Sequence, residues 1–234
     1  MLDRRTGAAD DAALLKLMTW LSPAFPVGAF SYSHGLEWAI EQGDVTDRAA
    51  LVDWIDALLE MGGLGSDAVL FARAHDAAEE QDDDALREVA ELAAAFQPSR
   101  ERRTESFGQG GAFLAAIRAT APCAAVDRLG AGWSGPVAYS VAVAVAAAGH
   151  GLPRRPALAA FLTAGVANLV SAAVRLVPLG QTDGLRAIAA LEQATLRAVT
   201  RGEATALDRL SGAALRSDIA SMRHETQRTR LFRT

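Results

Sequence analysis

Cysteine and lysine are almost absent from this sequence of 234 residues, which contains one of each. The single cysteine, Cys123, cannot form an internal disulfide, and its alanine and proline neighbours favour a small buried apolar residue over a reactive thiol. The only lysine, Lys16, follows no glycine-rich turn, so a P-loop for nucleotide phosphates is excluded. Positive charge is therefore carried by arginine, whose planar guanidinium suits paired contacts with carboxylates.

An excess of positive charge is also lacking, since the formal net charge is −5 at pH 7. Nucleic-acid binding needs clustered cations, so this balance argues against it. Aromatic residues make up only 6%, but 50% of the residues are hydrophobic, which is enough for a substantial core. Residues 1–10 lack the apolar run of a secretion signal, which predicts a cytoplasmic protein.

Known catalytic and metal-binding patterns are missing too. The four histidines, at 34, 75, 150 and 224, are far apart in sequence, and no Cys-x-x-Cys pair exists. His34 and Glu37 could form a weak ligand pair on one helix face, although a hydrogen-bonded helix start is favoured. The glycine motifs at 108–111 and 132–135 match neither a dinucleotide-binding loop nor a nucleophile elbow. We therefore predict a non-enzymatic protein without a strong local metal site.

Helical periodicity, by contrast, is present almost throughout, and it predicts an all-α fold: a single-domain bundle of about ten helices spanning 1–234, with an N-terminal tail at 1–10. Glycines 108, 110 and 111 indicate a close backbone approach or a break. The acidic run 79–84 is interpreted as a solvated turn and helix start. The predicted segments are Asp11 to Trp20, Thr46 as N-cap to Gly62, Ser66 to about Glu80, Asp82 to Gln97, Pro98 to before Pro122, Gly135 to Ala148, Pro156 to Val177 and Thr182 to Thr200.

One irregular stretch, residues 21–38, is unusually apolar for a loop. Two prolines and Gly28 keep it from forming a helix. It carries Phe25, Val27 and Phe30 at positions where solvated loops usually have polar residues, so we expect it to pack on the rest of the protein.

The most apolar stretch, residues 156–178, favours a buried helix over a membrane span because it contains Asn168 and Arg175 and ends at a proline. Arg175 stands among apolar neighbours. Two interpretations remain open: a helix-end arginine reaching solvent, or a paired network with Gln181 and Asp183.

The C-terminal segment, residues 217–234, inverts the charge of the chain, with four arginines against two carboxylates. Ser217 is predicted to cap a helix in which Ile219 and Met222 recur at helical spacing. A terminal helix packed on its own domain is one interpretation. The other is an element that docks on a partner, helped by an exposed Leu231-Phe232 pair.

Three separated blocks of this sequence resemble the UreF family of urease accessory proteins. They are SPAFPVGAFSYSHGLE at 22–37, VRLVPLGQ at 174–181, and DIASMRHETQ at 218–227 followed by LFR at 231–233. The stretch RERRTE at 100–105 also resembles that family. The blocks occur in family order from about residue 14 to the end.

This resemblance implies an all-helical, cytoplasmic homodimer that assembles with UreD, also called UreH, with the GTPase UreG and with apo-urease. Nickel would be handled transiently by the complex and bound at most weakly by the isolated chain, whose ligand groups are scattered. GTP would be bound by UreG, and no cofactor would be bound stably. The C-terminal segment would face UreD, and 30–37 would form a surface used with UreG. The expected partner-binding residues are Phe30, Ser31, Tyr32, His34, Glu37, Asp218, Met222, Arg223, His224, Glu225, Arg230, Leu231, Phe232 and Arg233. The alternatives are an all-helical enzyme with an unrecognised site and a membrane-associated carrier.

Overall fold

The computed structural model describes the backbone of residues 4–233 and the side chains of residues 11–233. Within this range the chain forms twelve α-helices, two short 3-10 helices and no strand, which confirms the predicted all-α fold. The α-helices are α1 Arg4–Trp20, α2 Leu36–Glu41, α3 Arg48–Met61, α4 Gly63–Glu80, α5 Asp83–Ala95, α6 Arg100–Thr120, α7 Ala124–Gly132, α8 Tyr139–Gly149, α9 Arg154–Leu176, α10 Gln181–Ala190, α11 Glu192–Ala204 and α12 Leu215–His224. The 3-10 helices are Ala29–Ser31 and Leu207–Arg209.

The core is built around α4 and α8, which pack directly on each other. Residues 140–147 of α8 are all buried, so this helix is enclosed on every side. The helix α6 packs on α8, while α3, α5, α9 and α11 pack on α4. Alanine dominates α8, and its small side chain lets neighbouring helices approach closely. A chain poor in aromatic residues thus still forms a dense interior.

Side-chain caps fix the starts of three helices. Asp47, Asp82 and Ser99 each accept a hydrogen bond from the backbone N–H three residues later. The acidic run therefore supplies a helix cap and first turn, as predicted. The predicted cap at Thr46 is wrong by one residue, because the neighbouring Asp47 carboxylate makes the bond. Ser217 is not a cap either, since it is buried inside the first turn of α12.

Several helix boundaries differ from the prediction. The first helix begins at Arg4, well before Asp11, so it includes much of the predicted tail at 1–10, of which residues 1–3 lie outside the described range. The helix α7 was not predicted, because it is short and lies between two prolines. The predicted segment 182–200 is two helices, which meet at a bend at Leu191.

The glycines of α6 mark a close approach, and the helix runs through them unbroken. A Cβ atom at Gly110 would lie 2.1 Å from the carbonyl oxygen of Val137 in the segment before α8. The neighbouring Gly111 has nothing within 4 Å of its hypothetical Cβ. Gly110 is thus needed for packing, whereas Gly111 is not.

The apolar stretch packs on the domain, as predicted, but its predicted end at residue 38 is wrong, because α2 begins at Leu36 and leaves 21–35 as the apolar loop. Val27 is buried, and the ring of Phe25 lies 5.4 Å from that of Phe113 on α6. Phe30 differs from the prediction because its side chain projects into solvent.

Among the described residues, α9 is the one helix whose length and composition would allow it to cross a membrane. In the most apolar 18-residue part of this helix, 50% is buried inside the protein. It contacts α4, α8, α10 and α11 within the bundle. These contacts are those of a core helix, as the sequence predicted.

Candidate functional site at the C-terminal segment

The C-terminal segment folds back onto the domain. Its helix, α12, packs on α2, and the close approach depends on Gly35 just before α2. Gly35 has a positive φ of 77°, and a Cβ there would lie 2.5 Å from the backbone nitrogen of Ser221. Beyond α12 the chain reaches the 3-10 helix at 29–31, where the N–H of Arg233 donates to the carbonyl oxygen of Ser31 at 2.8 Å. The segment therefore has a fixed path along α2.

His224, the last residue of α12, is the centre of a buried ion cluster. Its side chain is 0% exposed, with Nδ1 2.7 Å from Oε2 of Glu101 and Nε2 3.0 Å from Oε2 of Glu37. Because both ring nitrogens face carboxylates, both donate in the imidazolium form. Burial alone would lower the pKa of His224, but the hydrogen bonds and charges of Glu101 and Glu37 outweigh it and raise the pKa above 6.5.

Glu37 also holds the backbone of the segment. Its Oε1 accepts from the N–H of Leu231 at 2.6 Å, and its Oε2 accepts from the N–H of Phe232 at 3.0 Å. One buried carboxylate thus binds the end of α12 and the residues seven and eight positions further on. Charge-assisted bonds of this kind are about twice as strong as neutral ones.

Glu101, in the first turn of α6, completes the cluster. Its Oε1 accepts from Nη1 of Arg230 at 2.9 Å. We call these four residues, Glu37, Glu101, His224 and Arg230, the His224 cluster. Two cationic and two anionic groups balance in it, so burial leaves no uncompensated charge.

A second ion cluster lies one turn further along α6. Glu105 contacts Nε2 of His34 at 2.6 Å and Nη1 of Arg102 at 2.5 Å. Burial would raise the pKa of Glu105, but Arg102 and His34 lower it to about 2. Asp67 on α4 lies 3.9 Å from Nη2 of Arg102. We call His34, Asp67, Arg102 and Glu105 the Arg102 cluster.

Asp67 behaves differently from Glu105. Burial raises its pKa, and the opposing effects of Arg102 and of a 2.8 Å hydrogen bond from Ser140 do not cancel this. The cluster lines a cavity of about 210 Å³ beneath the apolar loop, with Phe25 and Val27 among the apolar walls. The cavity is therefore lined by two carboxylates in different electrostatic environments: the pKa of Asp67 is raised and that of Glu105 is lowered.

Phe232 corrects a prediction, because it is buried and not exposed. Its side chain is only 3% exposed, whereas that of Leu231 is 64% exposed. The guanidinium of Arg175 lies 4.4 Å from the centre of the Phe232 ring, and its Nη2 donates to the carbonyl oxygen of Phe30 at 3.0 Å. Arg175 therefore joins the loop to the C-terminal segment. It is exposed near the end of α9, so the interpretation as a helix-end arginine is confirmed and the alternative network with Gln181 and Asp183 is wrong.

The structure divides the predicted residues into inward-facing and outward-facing sets. His34 precedes α2 with a φ of 57°, so its ring does not share a helix face with Glu37 and the two contact different partners. Asp218 and Glu225 are half-buried, and Ser31 lies partly covered under the segment. The buried set is Tyr32, Glu37, His224 and Phe232. The exposed set is Phe30, Met222, Arg223, Arg230, Leu231 and Arg233.

Sequence reasoning noted the stretch 100–105 but did not predict as site residues the charged members of the two clusters on α4 and α6: Asp67, Glu101, Arg102 and Glu105. Glu101 and Glu105 are four residues apart, so they lie on one helix face. That spacing in an arginine-rich stretch was an available signal. It could not name the partners, because Glu37 and His224 are 187 residues apart in the chain.

The charged groups within each cluster contact one another, and the His224 cluster holds the C-terminal segment in place. The fold and the clusters together define an all-helical protein in which buried ion pairs position a surface segment. A model of the UreF family matches residues 45–192, more than half of the chain. The chain belongs to the UreF family.

Proteins named Urease accessory protein UreF are similar to this chain over nearly its full length. The one from Bradyrhizobium diazoefficiens is 52% identical over 97% of this chain and 94% of the relative. The one from Rhodopseudomonas palustris strain HaA2 is 53% identical over 97% of this chain and 96% of its own length. The one from Methylobacterium radiotolerans is 48% identical over 97% of this chain and 99% of its own length. These names describe accessory proteins, which confirms the prediction of a non-enzymatic protein.

Proposed function

We propose that this chain is a scaffold for urease maturation, which acts with UreD (UreH) and the GTPase UreG when nickel is inserted into apo-urease. Membership of the UreF family and the names of its relatives support this proposal. Nickel would be cargo of the complex, and GTP would be bound and hydrolysed by UreG. The chain would work in the cytoplasm as a homodimer.

The outward face of α12 is the observation that carries the docking part of the proposal. Leu215, Ile219 and Met222 are spaced four and three residues apart, so they lie on one face of the helix, and all three are exposed. An apolar stripe of this kind on a surface helix is typical of a protein interface. We propose that this face, together with exposed Leu231, docks on UreD.

Buried hydrogen bonds give this face a rigid base. The His224 cluster fixes the end of α12, and Ser99 at the start of α6 is hydrogen-bonded to Ser221 at 2.6 Å. A preorganised surface loses less conformational entropy on binding than a mobile tail would. The exposed Phe30 ring, next to the same segment, would belong to the surface used with UreG.

Substitution of Ile219 tests the docking proposal. Ile219→Asp places a charge in the apolar stripe without touching either ion cluster, so we expect loss of co-purification with UreD and an unchanged far-UV circular dichroism spectrum. Leu185→Asp is the matched control, since Leu185 is an exposed apolar residue on α10, which packs on α3 and α9. We expect this control to keep the complex.

Two outcomes would count against the proposal. If Ile219→Asp retained UreD as well as the control does, the α12 face would not be the docking surface. If the unmodified chain failed to co-purify with UreD and UreG, and urease matured without it, the scaffold function itself would be wrong.

A further inference from the structure

His75 on α4 has a buried ring nitrogen that makes no hydrogen bond within the described part of the chain. Its side chain is 1% exposed, and Nε2 lies 2.8 Å from the carbonyl oxygen of Leu152. A carbonyl oxygen only accepts, so Nε2 carries the proton, and in the neutral ring Nδ1 then carries a lone pair. Among the described residues, Nδ1 has no hydrogen-bond partner. Buried acceptors are rarely left in this state without a water, an ion or a ligand.

Two carboxylates lie beside this nitrogen. Oε2 of Glu79, one helical turn later, is 3.8 Å from Nδ1, which is beyond hydrogen-bond distance. Asp76 contributes a third possible metal ligand, and the ligand atoms of the three residues all lie within 4.8 Å of one another. A cation bound at about 2.1 Å from nitrogen and oxygen would bridge atoms about 3 to 4 Å apart. The 3.8 Å between Nδ1 of His75 and Oε2 of Glu79 already lies in this range, whereas the 4.8 Å limit for the whole set means that Asp76 would have to move slightly closer.

The bond from Nε2 to Leu152 is the second feature that points to a metal. Histidine ligands commonly donate their other ring N–H to a backbone carbonyl, which fixes the tautomer and the orientation of the ring. His75 already has this arrangement. The side chain of Glu79 is 69% exposed, so it is free to turn toward Nδ1 and gives an ion a route from solvent.

The surrounding charges limit the affinity of such a site. Asp76 is ion-paired with Arg73 at 3.2 Å and with Arg154, and Arg128 donates to the carbonyl oxygen of Ala78 at 3.1 Å. These arginines oppose a cation. The C-terminal end of α4, at Glu80, favours one through the helix dipole. His75 and Glu79 would thus be the main ligands, with Asp76 as a third, weaker one.

We propose that Nδ1 of His75, with the carboxylates of Glu79 and Asp76, binds a divalent transition-metal cation such as Zn²⁺ or Ni²⁺. The imidazole nitrogen selects this class of metal over Mg²⁺ and Ca²⁺, which prefer oxygen ligands. Water completes the coordination, since the chain supplies three donors. No pair of histidines in the sequence marks this site, because its second ligand is the carboxylate of Glu79, four residues after His75.

The test uses the full chain, freed of metal, and titrates Zn²⁺ alone and then Ni²⁺ alone by isothermal calorimetry. Glu79→Gln removes a ligand from an exposed side chain. Glu80→Gln is the matched control, because this substitution removes the same charge from an exposed side chain that lies outside the cluster. We expect Glu79→Gln to weaken binding about tenfold or more and Glu80→Gln to leave it unchanged.

A nitrogen-15 spectrum of the histidine rings provides a readout that does not depend on affinity. We expect Zn²⁺ to shift Nδ1 of His75 and to leave His34 and His224 unchanged. His75→Gln, whose amide can still donate to Leu152, should weaken Zn²⁺ binding about tenfold or more while the circular dichroism spectrum stays helical. Equal affinities for the two glutamate variants, a shift at another histidine, or no binding would overturn the proposal. None of these results would bear on docking to UreD.

Discussion

Replacement of Glu37 by glutamine should release the C-terminal segment without unfolding the domain. The carboxylate of Glu37 accepts hydrogen bonds from His224 at 3.0 Å, from the N–H of Leu231 at 2.6 Å and from the N–H of Phe232 at 3.0 Å. Glutamine keeps one accepting oxygen and turns an NH₂ group toward one of these donors. The variant therefore loses the charge and leaves at least one buried donor unpaired.

The magnitude follows from these contacts. A hydrogen bond to a charged group contributes about 1.5–3 kcal/mol, and breaking one partner of a buried ion pair costs about 3–5 kcal/mol. We expect about 3 kcal/mol for opening of the segment in Glu37→Gln, which raises the open population more than a hundredfold. The effect stays local because the core around α4 and α8 does not involve Glu37.

Native-state hydrogen exchange is the assay, since it separates local from global opening. The amides of Leu231 and Phe232 should lose protection in Glu37→Gln, while those of α8 keep it. Glu41→Gln is the control: Glu41 is an exposed carboxylate on the same helix, and it accepts a hydrogen bond from the side chain of Gln227 in the segment. An exposed contact contributes about 1 kcal/mol or less. Unchanged protection of Leu231 and Phe232 would refute the reasoning.

Two further predictions concern pH and packing. Because the pKa of His224 is raised above 6.5, its stabilising contribution is complete below pH 6.5 and is lost as the pH rises through the folded-state value. Urea unfolding should show this loss in the unmodified chain and not in His224→Gln; a loss of equal size in both would contradict it. Gly110→Ala should lower the free energy of unfolding, because the added Cβ would lie 2.1 Å from the carbonyl oxygen of Val137. Gly111→Ala adds a Cβ in open space, so it should raise the free energy of unfolding by up to about 1 kcal/mol in the same assay. Equal effects would show that α6 does not depend on this approach.

The fold was largely predictable from local patterns. Helices with a strong cap or a glycine stop, such as α3 and α5, were found nearly to the residue, because caps and breakers act within one turn. The short α7 and the bend at Leu191 were missed. Short helices are specified mainly by packing on the rest of the domain, which no local pattern contains.

The candidate site was predictable only in part. Repeated apolar spacing correctly placed Ile219 and Met222 on a helix, and both are exposed. The burial of Phe232 was not predictable from the sequence. It depends on the contact of its ring with Arg175 and on the hydrogen bond from its N–H to Glu37, and both of these residues are distant in sequence. Ion clusters join residues from separate elements, so a sequence shows the charges and not their pairing.

Urease activation in a defined mixture tests the central claim most directly. Apo-urease, UreD, UreG, GTP and nickel are combined with and without this chain, and the nickel content and urea hydrolysis of the recovered urease are measured. We predict nickel-loaded, active urease only when the chain is present. Equal nickel content and equal activity in its absence would contradict a role in urease maturation.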